Sequence, residues 1–145
     1  MSRVVCLDPG RCKCGLILAD CSSHCVIEGH VLATEAVLDT LERWRTIAPV
    51  DRLVLGNGTA SESLKRLLPP DLPVKLVDES GSTLKARKRY WQLWPPRGWR
   101  RVVPKGLLIP PTELDALAAL VILESELGRN LAWPGSAPIR TAPER

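Results

Sequence analysis

The stretch Val4 to Leu18, V-V-C-L-D-P-G-R-C-K-C-G-L-I-L, decides the fold. An apolar run ends on Asp8, the Pro9-Gly10 pair turns the chain, and a second apolar run opens after Gly15. The pattern predicts two antiparallel strands joined by a turn. Strands bury apolar faces, so an ionised carboxylate at the tip of one must be held there for a reason. Two readings are open. One is an ordinary hairpin with an Asp-Pro-Gly turn. The other makes Asp8 a metal ligand at a strand tip, with Gly10 and Gly15 letting a phosphate approach the backbone and Arg11 and Lys13 supplying positive charge beside it.

Outward from this stretch, Arg3 to Asp8 and Gly15 to Asp20 are neighbouring strands, and the alternation of Val26 to Leu32 adds a third. Thr34 caps a helix to about Ile47, with Val37, Leu38, Leu41, Trp44 and Ile47 at three- and four-residue spacing, and Pro49 ends it. Asp51 to Gly56 is a short buried strand. Thr59 and Glu62 have capping-box spacing for a helix through Leu68, and Pro73 to Asp78 is the fifth strand. A basic helix runs from Ser82 to about Leu93, and Arg97 to Pro111 is a loop rich in proline and glycine. Thr112 caps the last helix, apolar nearly all round at Leu114 and from Ala116 to Leu123 and so buried against a sheet. Residues 1–128 are expected to form one domain, and 129–145, without period, a flexible tail.

Three meandering strands followed by helix, strand, helix, strand and helix predict an α/β fold: a mixed five-stranded sheet of order 3-2-1-4-5, strand 2 antiparallel, with helices on both faces. That order brings Asp8 and Glu79 together, and Asp115 lies in the first turn of the buried last helix. Three carboxylates in one depression repel and raise one another's pKa unless a divalent ion joins them. Hard oxygen ligands select Mg²⁺ or Mn²⁺, and two such ions can activate water against a phosphodiester. The structural readings compete: Asp115 has capping-box spacing from Thr112, and Asp78-Glu79 could be a solvated strand end.

Charge points to the same partner. Between Ser80 and Thr112 there are eight Lys or Arg and no Asp or Glu, which leaves the rest of the chain net negative. Such segregation favours a polyanion. Lys85, Arg87, Lys88 and Arg89 on a helix, then Arg97, Trp99, Arg100 and Arg101 in a loop, combine phosphate-neutralising charge with a flat stacking surface. Helical spacing turns Trp91 and Trp94 toward the core. No apolar run approaches the roughly 20 residues of a membrane span and the N-terminus lacks a signal-peptide pattern, so the expected compartment is cytoplasmic. Five cysteines, Cys6, Cys12, Cys14, Cys21 and Cys25, crowd the first strands beside His24 and His30. A strand rising ~3.3 Å per residue separates Cys12 and Cys14 from Cys21 and Cys25 too widely for one zinc site, so reduced thiols are expected.

Four blocks carry a resemblance: D-P-G-R-C-K-C-G at Asp8 to Gly15, L-V-L-G-N-G at Leu53 to Gly58, V-D-E-S-G-S-T at Val77 to Thr83, and E-L-D-A-L-A-A-L-V-I-L at Glu113 to Leu123. In this order and spacing they resemble the YqgF/RuvC-like branch of the ribonuclease H-like superfamily, over roughly Val4 to Leu127. The resemblance implies a ribonuclease H-like fold, with Asp8, Glu79 and Asp115 on the family's acidic metal ligands. It further implies a Mg²⁺-dependent endonuclease acting on structured nucleic acid, either branched DNA of the Holliday-junction kind or the precursor of small-subunit ribosomal RNA. Ser80 stands where the family's D-E-R-x-T-T motif has arginine, and Thr112 and Ala118 occupy the places of the fourth RuvC-type acid. G-N-G-T-A-S and D-E-S-G-S look closer to the YqgF-like domain of the transcription accessory protein Tex. A non-catalytic nucleic-acid-binding module of the same fold is therefore the alternative, with Asp8 and Asp115 as turn and cap residues. A monomer and a homodimer are both compatible with the sequence.

Overall fold

The computed structural model describes residues 2–10, 12–58, 60–78, 81–96, 98–104 and 114–134. Its elements are β1 (Arg3–Pro9), β2 (Lys13–Asp20), β3 (Cys25–Ala33), α1 (Val37–Ile47), β4 (Arg52–Gly56), α2 (Ser61–Leu67), β5 (Val74–Val77), α3 (Ser82–Leu93) and α4 (Asp115–Leu127). The five strands form one sheet in the order β3-β2-β1-β4-β5. β1 is antiparallel to β2 and parallel to β4, β2 is antiparallel to β3, and β4 is parallel to β5. This is the expected mixed five-stranded α/β sheet, down to the antiparallel second strand.

Alternation along the strands divides the core in two. Val4, Cys6, Ile17, Ala19 and Val54 face α3 and α4, and pack on Ala86, Tyr90 and the apolar residues of α4. Val5, Leu7, Leu16, Leu18, Leu53 and Leu55 face α1 and α2, against Val37, Leu41, Trp44 and Leu64. Helix α4 buries eight of its residues, including Leu117, Leu120 and Leu123, as its uniformly apolar sequence requires. Trp91 and Trp94 pack against the α4 side of the core, as their spacing predicts.

Helix starts differ from expectation. A short 3-10 turn, Thr34–Ala36, precedes α1, and no side chain caps either element. Thr34 is held elsewhere: its N–H donates to Cys12 O at 3.3 Å and its hydroxyl lies 3.9 Å from Cys14 Sγ, which extends the β2–β3 pairing. Helix α2 begins at Ser61 with Ala60 before it, and α4 at Asp115 with Leu114 before it, neither with a side-chain cap bond. The proposed caps Thr59 and Thr112 lie outside the described residues. A second 3-10 turn, Gly98–Val102, interrupts the segment read as loop.

The segment after Gly128 corrects the flexible tail expected there. Leu131 is buried in the α4-side core, Ala132 pairs in parallel with Cys25, and the Trp133 ring meets Trp94 edge-on at 5.3 Å. Val26 N–H donates to Ala132 O at 2.7 Å and Ala132 N–H to His24 O at 2.9 Å. Gly29 makes room for this: a Cβ there would come within 2.4 Å of the Trp133 ring. The fold therefore runs past residue 128 to Trp133, and 135–145 lie outside the described residues. Among the described residues no helix is long and apolar enough to cross a membrane.

Candidate functional site

Asp8 is the penultimate residue of β1 and pairs with Gly15 of β2. By alternation Asp8 shares the α4 face of the sheet with Val4 and Cys6, while Lys13 and Gly15 share it with Ile17 and Ala19. The first residue of α4 lands on Gly15: a Cβ built there would sit 1.8 Å from the Asp115 carbonyl oxygen and 2.8 Å from Ala116 N. Only a residue without a side chain lets the helix start so close to the strand. The sequence reading has Gly15 admit a phosphate, and it admits the backbone of α4 instead. Gly10 does turn the chain, its N–H donating to Lys13 O at 3.0 Å.

The consequence is that Asp115 lies over the strand position paired with Asp8. Two carboxylate-bearing residues 107 positions apart in the chain, one on a strand tip and one at a helix N-terminus, stand at the same end of the sheet. Lys13 joins them, its Nζ 3.6 Å from Asp115 Oδ2. The joint field reaches Cys14: burial first, then the negative charges of Asp8 and Asp115, raise its thiol pKa, against lowering by hydrogen bonds from Gly10 and Thr34. Cys14 is thus held as the neutral thiol. Burial first, then Asp8, pushes the Cys6 thiol well up too.

The third expected acid, Glu79, follows β5 in the sequence. Leu7 of β1 pairs with Leu55 of β4, and the next β4 residue, Gly56, pairs with Val77, the last of β5. Asn57 N–H donates to Val77 O at 2.8 Å, closing the end of this pair. Glu79, two positions further on, lies outside the described residues. Among the described residues no three His, Cys, Asp or Glu side chains form a metal-binding group. Asp8 and Asp115 are two carboxylate-bearing residues that the fold places at this end of the sheet.

The basic residues separate into different roles. Lys85 and Lys88 are exposed on α3, Arg87 is half-buried, and Arg101 is exposed in the 3-10 turn. Arg89 is not a surface cation. Its Nε and Nη2 donate to Glu124 Oε1 and Oε2 at 3.0 and 2.9 Å, and Nη2 also donates to Leu131 O at 3.0 Å. Glu124 in turn accepts from Leu131 N–H at 2.7 Å. Arg89 therefore ties α3 to α4 and to the C-terminal segment, and the phosphate-binding role expected of it is corrected on that ground. Arg11 and Arg97 lie outside the described residues, as do the side chains of Trp99 and Arg100.

The cysteines are free thiols. Cys14 pairs with Leu32 near one end of the β2–β3 ladder and Cys25 with Asp20 at the other, the separation the strand reading gave. His30 stacks on Trp44 at 6.0 Å and contacts Glu28 at 3.0 Å, which also accepts from Trp44 Nε1 at 2.8 Å.

Comparison with known proteins follows the same lines. A curated protein of Bacteroides thetaiotaomicron named "Putative pre-16S rRNA nuclease" is 28% identical over 102 residues, 61% of this chain and 74% of that protein. Its namesake in Bacteroides fragilis is 26% identical over 141 residues, 88% of this chain and 96% of that protein. A solved structure, T. thermophilus RuvC in complex with Holliday junction substrate, superposes with a TM-score of 0.46 at 14% identity, covering 90% of this chain and 99% of the other. No protein-family model matches the chain.

Proposed function

We propose that this chain, YqgF/RuvC-like in its motifs and relatives and ribonuclease H-like in its sheet, is a divalent-metal-dependent endonuclease acting on structured nucleic acid. The observation that carries the reading is that the Asp115 backbone seats on Gly15, the residue paired with Asp8. A hairpin-turn aspartate needs no second acid brought to it by a helix 107 positions on. The two curated relatives, named as nucleases of precursor 16S ribosomal RNA, support the reaction class and favour RNA as the substrate.

The donor set suits the ion. Asp8 and Asp115 offer hard carboxylate oxygens, and Lys13 Nζ stands 3.6 Å from Asp115 Oδ2. Asp8 and Asp115, with Glu79, would hold Mg²⁺ or Mn²⁺, which supplies Lewis acidity for the attacking water and the leaving oxygen of a phosphodiester. The chain's own contribution is positional. Gly15 seats the start of α4, which fixes where the Asp115 carboxylate stands relative to Asp8. Lys13 stands where its ammonium can neutralise a non-bridging phosphate oxygen.

The test is cleavage of a hairpin RNA carrying a precursor 16S terminus, and of a four-way DNA junction, with Mg²⁺ and with EDTA. Wild-type protein should cut one of them only with Mg²⁺, and Asp8→Asn should bind it equally and not cut. If both proteins bind and neither cuts either probe, the chain is the non-catalytic module of the same fold. The two acids would then serve as turn and helix-start residues.

A further inference from the structure

A second concentration of charge lies away from the carboxylates. Helix α3 starts just after β5 and α4 starts on Gly15, so both leave the same end of the sheet, and the Arg89–Glu124 pair ties them side by side. Between them runs an open groove lined by Lys85, Lys88, Gln92, Ser125, Arg129 and Asn130. Glu124 is the carboxylate among its lining residues, and Arg89 already neutralises it from below, with side-chain exposures of 14% and 8% for Arg89 and Glu124. The carbonyl end of α4 would repel an anion, but Glu124 O accepts from the N–H groups of Gly128 and Arg129. What faces solvent is three cations, Lys85, Lys88 and Arg129, with uncharged donors interleaved.

We propose that this groove is a phosphodiester track, which holds the backbone of the substrate nucleic acid several nucleotides from the carboxylates. The proposal rests on the nucleic-acid reading above and adds to it a second contact region, partly built by the C-terminal segment. Lysine and arginine neutralise phosphates, while Gln, Asn and Ser donate to phosphate oxygens without reading bases, so the track sets register rather than sequence. A helix rises ~1.5 Å per residue, which puts the level of Glu124 roughly 13 Å and Gly128 roughly 20 Å beyond Asp115. At about 3.4 Å of axial rise per nucleotide along a duplex strand, the track engages phosphates about four to six nucleotides from the carboxylate end.

The experiment uses the full chain carrying Asp8→Asn, in EDTA, and two fluorescein-labelled probes: an RNA hairpin and a four-way DNA junction, each with helical arms of about twelve base pairs, long enough to fill the track. Binding is read by anisotropy across a KCl series. Adding Lys85→Ala, Lys88→Ala and Arg129→Ala should weaken binding at least tenfold at low salt. The slope of log K against log [KCl] should fall by about two to three, at ~0.9 for each duplex phosphate that is no longer neutralised. The charge-preserving set Lys85→Arg, Lys88→Arg and Arg129→Lys should keep the slope, which separates charge from any disturbance of folding. Probes with arms cut to about three base pairs should bind the triple variant and its parent alike, since the track lies beyond their reach. An unchanged slope, an equal weakening with short arms, or no binding of either probe overturns the proposal. Failure of the nuclease reading shows elsewhere, as absent Mg²⁺-dependent cleavage by the wild-type protein while these slopes behave as stated.

Discussion

Lys13 Nζ stands 3.6 Å from Asp115 Oδ2, so a cation of the chain already occupies ground next to a proposed metal ligand. The two side chains are 40% and 28% exposed, so solvent screens the pair and its worth is no more than about 1 kcal/mol. A divalent ion at Asp115 has to displace or tolerate that ammonium.

Lys13→Met should therefore raise affinity for Mn²⁺, by up to roughly fivefold if the whole pair opposes the ion. Calorimetric titration of Mn²⁺ measures it, with Asp115→Asn as the control that should bind weakest. Equal affinity in Lys13→Met and wild type would separate Lys13 from the metal site.

Gly15→Ala tests how the site is built. The new Cβ meets the Asp115 carbonyl rather than a movable side chain, so α4 must shift or the strand must bend. We expect a loss of about 1–3 kcal/mol in urea denaturation, typical of overpacking, together with weaker Mn²⁺ binding. Wild-type metal affinity in a destabilised Gly15→Ala protein would show that the helix start does not set the site.

Arg89 and Glu124 form a largely buried pair with further hydrogen bonds to Leu131. Arg89→Ala leaves Glu124 uncompensated, and a destabilisation of roughly 3–5 kcal/mol follows. Replacing both, as Arg89→Met with Glu124→Leu, should recover much of that loss. Urea melts of the single and double variants make the comparison. A single variant as stable as wild type would return Arg89 to the surface.

Glu28 supplies the pH dependence. Burial acts to raise its pKa, but bonds from His30 and Trp44 and the charge of Arg43 outweigh it, and the net shift is downward. A carboxylate with a depressed folded pKa adds stability that is complete above its unfolded value, about 4.3, and is lost as pH falls through the lower folded value. The melting temperature of wild type should exceed that of Glu28→Gln at neutral pH, and the gap should close as pH falls below about 4. A gap that stays constant to about pH 3 would mean that the charge of Glu28 is not what the network holds.

The sheet was legible because its strands are dense apolar runs bounded by Gly, Pro and Asp, and because right-handed crossovers leave few orders to choose from. That order predicted Asp8 beside Glu79, and the apolar sequence of the last helix predicted that Asp115 starts a helix buried against the sheet. The reason for Gly15 was not legible: a glycine that admits a ligand and one that admits a helix look alike until the packing is known. Arg89 was misread because its partner lies 35 residues away, although a carboxylate inside the apolar run V-I-L-E-S at Val121 to Ser125 signals a buried cation. The Leu131–Trp133 segment was missed because three residues are too few to show a period. The segment is held by backbone bonds to His24 and Val26 and by the ring contact of Trp133 with Trp94, none of which composition records.

That short segment also guards the molecule against itself. β3 is the outermost strand on its side of the sheet, nine residues long, and Ala132 takes up its first backbone groups while Trp133 lies over Gly29. Cut away after Gly128, the protein would show neighbouring copies a longer row of open amides and a stripped apolar face. Such a rim templates intermolecular strand addition, so the shortened form should be lost to self-association at concentrations the intact chain tolerates.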